Sequence, residues 1–207
     1  MDNYLVVNSE FSGEYSEKHS RFIGFLIPCG NDEQAAGIIS AKRKEFWDAR
    51  HVVYAYVLAD GTARFSDDGE PHGTAGKPVL DVLKSSSVKN AIIIVVRYFG
   101  GILLGTGGLV RAYTAAATAA INNSEKFKVY EGQEYSLVLP YGDYDRFVFL
   151  AKEQGITVTN TDYKDNVQIE FSVKDESVDT ALNRIKDAFS SSVVPKFIQK
   201  TEIFEKI

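Results

Sequence analysis

The sequence predicts an α+β protein of two domains, and three observations carry that prediction. Strand-like and helix-like runs mix in a less standard order over the first part of the chain, whereas the last third reads β-α-β-β-α-β. The length of 207 residues has room for one large domain or two small ones, and a composition 44% hydrophobic and 25% charged is that of an ordinary globular protein. Charge and glycine also divide unevenly about Tyr130. Residues 1–130 hold 14 basic and 14 acidic side chains, while 131–207 hold 9 and 14 and so account for the whole net charge of −5. Nine of the 16 glycines fall in two short stretches, 61–76 and 100–108, so special backbone geometry is demanded of the first part. Domains of residues 1–130 and 131–207 are therefore expected.

In chain order, short strands are predicted near residues 4–7 and 22–27. A helix over about 32–47 carries Ala35, Ile38, Ile39 and Phe46 at helical spacing. Residues 51–58 read as a strand. So do 91–96, whose unbroken apolar run implies burial on both faces. Thr74 is placed to cap a helix with Pro78 in its first turn and Val79, Val82 and Leu83 facing inward. A helix over about 107–122 holds six alanines between Ala112 and Ala120, which permits close helix–sheet packing.

Beyond Tyr130 the alternation is plainer. Tyr135, Leu137 and Leu139 mark a strand that stops at Pro140, and Tyr144, Phe147, Val148 and Ala151 a helix ending near Gly155. Ile156 and Val158 begin the next strand, and Val167, Ile169, Phe171 and Val173 alternate with polar residues in a third. Val178, Ala181, Leu182, Ile185 and Phe189 form a second helical stripe, and a last strand runs through Pro195 toward Ile203. This order is the ferredoxin-like split unit, with two helices on one sheet face and the other face open.

Two stretches carry candidate chemistry. In 66–78, Asp67, Asp68, Glu70 and His72 fall within six residues on a Gly- and Pro-punctuated loop, flanked by Ser66, Thr74 and Lys77. Oxygen and nitrogen ligands so placed suit a divalent cation, or a carboxylate–histidine pair suits proton transfer. Equally, these polar groups close turns and cap the following helix. No known metal spacing is matched, and neither a metal nor a cofactor is expected. In 97–111, Gly100, Gly101, Gly105, Gly107 and Gly108 lie between a buried strand and a helix N-terminus, bracketed by Arg97 and Arg111. Backbone amides and a helix dipole there favour an anion, and the two arginines add charge-assisted bonds to a phosphate. Alternatively the glycines only allow strand, loop and helix to pack tightly. Neither a Walker A loop nor a G-x-G-x-x-G spacing is present. His51, beside Arg50 at the head of a strand, is either a packing residue or a partner of His72 in one pocket. Cys29 and Trp47 read as core or near-surface packing groups, and a single cysteine excludes an internal disulfide framework.

Together the stretches are specific. Ser66-Asp67-Asp68-Gly69-Glu70-Pro71-x-Gly73-Thr74-Ala75-Gly76-Lys77-Pro78 and Val95-Val96-Arg97-Tyr98-Phe99-Gly100-Gly101-x-Leu103-Leu104-Gly105-x-Gly107-Gly108-Leu109-Val110-Arg111 resemble the signature of the IMPACT family, as do Lys18-x-Ser20-Arg21-Phe22-Ile23 and His51-x-x-Tyr54-Ala55-Tyr56. The whole chain looks like the bacterial YigZ-like branch, strongly over about residues 1–125 and by pattern beyond. The resemblance implies a first domain similar to the second domain of a small-subunit ribosomal protein, with left-handed βαβ crossovers. It implies a ferredoxin-like second domain similar to the last domains of elongation factor G. Eukaryotic relatives regulate translation by binding the ribosome-associated activator of a kinase that senses uncharged tRNA. They carry an additional RWD domain, and the resemblance transfers no catalytic residues.

The expected function is a non-enzymatic cytoplasmic protein, a translation regulator or an RNA- or ribosome-associated binding protein. Its partner would be a ribosome, an RNA or a translation-associated protein, and not a membrane, since no apolar run is long enough to span one. The acidic balance weighs against free nucleic-acid binding, so any such contact is expected to be local to Arg50, Lys77, Arg97 and Arg111. The alternative is a metal-assisted phosphate-ester hydrolase or transferase using the Asp/Glu/His loop, which requires both stretches to converge.

Overall fold

The computed structural model describes residues 4–189 and 193–207. It divides into two units, one of Met1–Lys128 with Lys206–Ile207 and one of Val129–Glu205. No helix among the described residues is long and apolar enough to cross a membrane.

In the first unit, β1 (Leu5–Val6), β2 (Phe11–Glu17), β3 (Ser20–Pro28), α1 (Asp32–Glu45), β4 (His51–Val57), β5 (Ala63–Ser66), α2 (Gly76–Ser85), β6 (Ala91–Tyr98) and α3 (Gly105–Asn122) follow in order. The sheet is antiparallel with strand order β2-β3-β6-β4-β5. Because β6 is central and covered on both faces, its first seven residues are all buried, as the apolar run predicts. Phe22, Leu26, Val53, Ala55, Ile93 and Val95 point from one face into a core shared with α2 and α3. The alternate residues Phe25, Val52, Tyr56, Ile92, Ile94 and Val96 meet Ala35, Ile38 and Ile39 of α1, with Phe46 just past its end, on the other.

Sequence patterning overlooked β2 and β5. It also placed the start of α3 two residues late and ran α1 two residues too far, so that Trp47 lies past the helix and is largely exposed rather than packed. Strands β2 and β3 are joined by Lys18 and His19, both at positive φ (48° and 63°), the two-residue turn whose twist suits a hairpin. Gly13 and Gly24 pair across these strands and let α3 lie directly on the sheet.

The second unit contains β7 (Phe127–Leu139), α4 (Tyr144–Glu153), β8 (Thr157–Tyr163), β9 (Val167–Lys174), α5 (Val178–Ala188) and β10 (Lys196–Lys206), with β7 beginning in the first unit, where it pairs β1. Strand β9 lies between β7 and β8, and β10 pairs β7, which is the ferredoxin-like arrangement. Leu137, Leu139, Ile169 and Phe171 pack against Phe147 and Ala151 of α4 and Ala181 and Ile185 of α5. The reverse face bears Ser136, Val138, Gln168 and Glu170, with Val138 exposed. Val148 and Val158, expected on buried stripes, are exposed instead; the buried side of α4 is narrower than its apolar spacing suggests.

Candidate functional site

The loop between β5 and α2 begins with a tight turn. Asp68 and Gly69 both adopt positive φ (46° and 85°), and the Glu70 amide donates to the Asp67 carbonyl at 3.0 Å. That reversal turns Glu70 inward, where it is buried. The Asp67 carboxylate accepts from the amides of Gly73 (2.9 Å), Ala75 (3.1 Å) and Gly76 (2.8 Å), so Asp67 caps the N-terminus of α2. This corrects the expectation for Thr74, whose hydroxyl instead donates to the Pro71 carbonyl at 2.6 Å. Asp68 accepts from the Val52 amide at 2.7 Å and pairs with Arg43 of α1, which pins the loop to β4 and α1. The Ser66 hydroxyl accepts from the Asp68 amide, and a side chain at Gly76 would strike the Ser66 carbonyl at 2.6 Å.

Glu70 is the hub. Its Oε1 accepts from the Arg97 guanidinium of β6 and from the Tyr113 hydroxyl of α3 at 2.8 Å. The Arg97 guanidinium lies 5.5 Å from the ring centres of both Phe22 and Phe99. The Tyr113 ring meets Phe22 edge-on at 5.1 Å. His51 completes the cluster. Its Nδ1 lies 2.7 Å from the Asp68 carbonyl, which can only accept, so Nδ1 carries the proton and Nε2 is directed to within 3.8 Å of Glu70.

Burial, reinforced by the Glu70 carboxylate, pushes the Tyr113 phenol well above its ordinary value. Its pKa is therefore higher folded than unfolded, and the stability it contributes is complete below about pH 10 and declines as pH rises beyond. Each such proton steepens the alkaline loss by about 1.4 kcal/mol per pH unit. Tyr113→Phe is thus expected to flatten the fall of the urea midpoint between pH 10 and 11, within about that slope. An unaltered alkaline slope would show that the phenol is not held protonated by the fold.

These groups border a cavity of about 580 Å³ lined by Arg50, His51, Glu70, Arg97, Thr106 and Gly105, with an apolar wall of Pro71, Phe99, Leu103, Leu104 and Leu109. The two stretches therefore converge, but only through some of their residues. Glu70, His51, Arg97 and Gly105 line the cavity. Asp67, Asp68, Ser66 and Thr74 serve the loop itself, and His72 and Lys77 are exposed, Lys77 pairing with Asp81. Of the remaining glycines, Gly100 is pressed on the hairpin turn, where a side chain would meet the His19 carbonyl carbon at 2.1 Å, and its amide donates to the buried Ser20 hydroxyl at 3.1 Å. Gly108 packs on Leu104, while Gly101 and Gly107 are open to solvent. Arg97 is buried and held by Glu70 at the cavity wall rather than projecting into open solvent. Arg111 is exposed, 3.8 Å from Glu17, and outside the lining. No cluster of three metal-ligating side chains occurs among the described residues.

The family described as "Impact N-terminal domain" matches residues 18–121, which contain every residue of this cluster, and "Domain of unknown function (DUF1949)" matches residues 137–192. The chain belongs to the IMPACT family. An IMPACT family member of Haemophilus influenzae is 34% identical over 209 residues, spanning 99% of this chain and all of that relative. The IMPACT family member YigZ of Escherichia coli is 37% identical over 168 residues, 79% of this chain and 82% of its own. "Protein IMPACT" of Homo sapiens matches less, 32% over 95 residues, which is 44% of this chain and 30% of that one. A solved structure described as a hypothetical protein, 32% identical, superposes with a TM-score of 0.62 over 96% of this chain and 98% of its own.

Seen in this IMPACT-family fold, the shared motifs have concrete tasks. Ser20 and Gly100 lock the hairpin turn to the end of β6, Asp67 starts α2, and Glu70 joins β6 to α3. Phe99, Leu103, Leu104 and Leu109 line the cavity and Tyr113 bonds Glu70 beside it, though none of them is among the sequence's candidate site residues. The only signal for them was position, since Leu104 and Leu109 flank the glycines at the helix start and Tyr113 lies one turn further on.

Proposed function

We propose that this protein is a non-catalytic binding protein acting on translation in the cytoplasm, with the first unit as its contact surface. The observation that carries this reading is the loop between β6 and α3, where Phe99 and Ile102 are each 45% exposed and Leu103 82% exposed on a base fixed by buried β6 and Gly100. Adjacent apolar side chains held out from a rigid base are the anatomy of an interface centre. Membership of the IMPACT family, whose eukaryotic relatives regulate translation, supports the same reading. Charge favours a ribosomal or translation-associated protein over free RNA, because 1–130 is neutral and 131–207 is acidic.

The commitments of the loop carboxylates weigh against a metal-assisted phosphate-ester hydrolase. Asp67 accepts from three amides, Asp68 from Val52 and Arg43, and Glu70 Oε1 from Arg97 and Tyr113.

Sedimentation with ribosomes at low and moderate salt tests the proposal, with Ile102→Asp and Arg111→Glu as surface variants outside the cavity. Wild type is expected in the ribosomal pellet and Ile102→Asp in the supernatant. Wild type remaining in the supernatant at both salt concentrations would overturn the reading.

A further inference from the structure

We propose that the cavity of the first unit is a pocket for a small molecule bearing an oxyanion, phosphate or carboxylate, on an apolar body. The inference goes beyond the contact with translation and does not depend on it. Its size lies in the range of about 300–1,000 Å³ that small-molecule sites occupy. Chemically, the walls divide in two. Pro71, Phe99, Leu103 and Leu109 offer apolar contact, whereas Arg97, His51 and the start of α3 present polar atoms.

Two independent features of the polar end point to an anion. The first is the N-terminus of α3, an 18-residue helix that begins at the cavity wall with Gly105 at φ 71°. Its N-cap residue is Leu104, whose side chain makes no cap hydrogen bond, so the dipole and hydrogen-bonding capacity of the first amides are directed at whatever occupies that end. The second is Arg97. Only 5% of its surface is exposed, one terminal nitrogen serves Glu70, and its Nε is buried with no hydrogen-bond partner. A buried guanidinium N–H without an acceptor is costly, and an oxyanion is the acceptor that removes the cost best. Phe99, half-exposed, lies 5.5 Å from this guanidinium, and both line the cavity.

The remaining polar groups suit the same ligand. Glu70 cancels the charge of Arg97 but has Oε1 engaged by both Arg97 and Tyr113, leaving Arg50 at the rim and the helix dipole to set a positive balance. His51 lines the same end, its ring fixed by the contact of Nδ1 with the Asp68 carbonyl. A purely apolar molecule would leave Arg97 Nε and the α3 amides unmet.

The test titrates the full chain with phenyl phosphate, phenylacetate, inorganic phosphate and phenol, read by ligand-detected NMR and by Tm. Phenyl phosphate or phenylacetate is expected to bind at millimolar concentration or below, and phenol at least about tenfold more weakly. Which of the two anions binds tighter distinguishes a phosphate ester from a carboxylate as the natural group. Leu103→Glu puts a negative charge at the lip on an exposed side chain, and it is expected to weaken the anion about tenfold without lowering the Tm of the unliganded protein. Arg50→Gln is expected to act in the same direction. Three results would each overturn the proposal: neither aromatic anion binds, phenol binds as well as they do, or Leu103→Glu leaves their affinity unchanged. Ribosome sedimentation reads Ile102, which is not part of the cavity lining, and the ligand titration contains no ribosome, so the failure of either proposal is seen separately.

Discussion

Glu70→Ala is expected to destabilise the first unit by about 3–5 kcal/mol, the range for breaking a buried ion pair from one side. The side chains of Glu70 and Arg97 are only 3% and 6% exposed. Removing the carboxylate strands a guanidinium between Phe22 and Phe99 whose Nε already lacks a partner, and it also orphans the Tyr113 hydroxyl. Glu70→Gln keeps an acceptor for both donors and should cost less. The informative control is the combined Glu70→Leu, Arg97→Met, Tyr113→Phe variant. If the penalty of Glu70→Ala is an uncompensated charge rather than lost attraction, replacing all three polar groups should recover most of the loss. Native-state hydrogen exchange at the β6 amides reads the stability of this unit alone. A Glu70→Ala cost below about 1 kcal/mol would mean that Arg97 finds water or another acceptor in the cavity.

How much of this was legible beforehand depended on where the information resides. Val167, Ile169, Phe171 and Val173 announce β9 because their period is local, and the run from Ala91 announces a strand covered on both faces. Strand β2 was illegible for the opposite reason. It is an edge strand whose central inward position is Gly13, filled by the backbone of α3 rather than by a side chain, so the apolar alternation is broken between Phe11 and Tyr15. In the candidate site, glycines and clustered carboxylates mark 66–78 and 97–111, from which Glu70, Arg97 and Gly105 reach one cavity, and both stretches lie within the matched family domain. Local spacing carries no record of tertiary partners, however. Asp67 rather than Thr74 caps α2 because a turn six residues upstream delivers its carboxylate, and Arg97 points inward because Glu70 and Tyr113 arrive from two other elements. The His51 tautomer likewise depends on a carbonyl 17 residues away.

Gly24→Ala is expected to cost about 3 kcal/mol, at the upper end for adding one methyl to a packed interior. A Cβ at Gly24 would lie 2.4 Å from the Ala116 carbonyl oxygen and 2.9 Å from its carbon. These are backbone atoms of α3, so no rotamer change relieves the clash and the helix must shift bodily. Gly13, paired with Gly24 across β2 and β3, faces the next turn of the same helix, with its added Cβ 2.4 Å from the Ala119 carbonyl carbon. One displacement of α3 would relieve both, so Gly13→Ala and Gly24→Ala together should cost less than the sum of the two. Gly37→Ala is the matching control. It lies in α1 with nothing within 4 Å, and there alanine should stabilise by about 0.5–1 kcal/mol through helix propensity and reduced unfolded-state entropy. Because α3 also carries Tyr113 and forms one wall of the cavity, the shift forced by Gly24→Ala should weaken binding of an aromatic anion as well as lower the Tm. A Gly24→Ala protein within about 1 kcal/mol of wild type would place α3 farther from the sheet than these contacts allow. The alanines of α3 and the two paired glycines are thus one device, in which small residues on both partners bring a helix axis close enough to the sheet to close the cavity from that side.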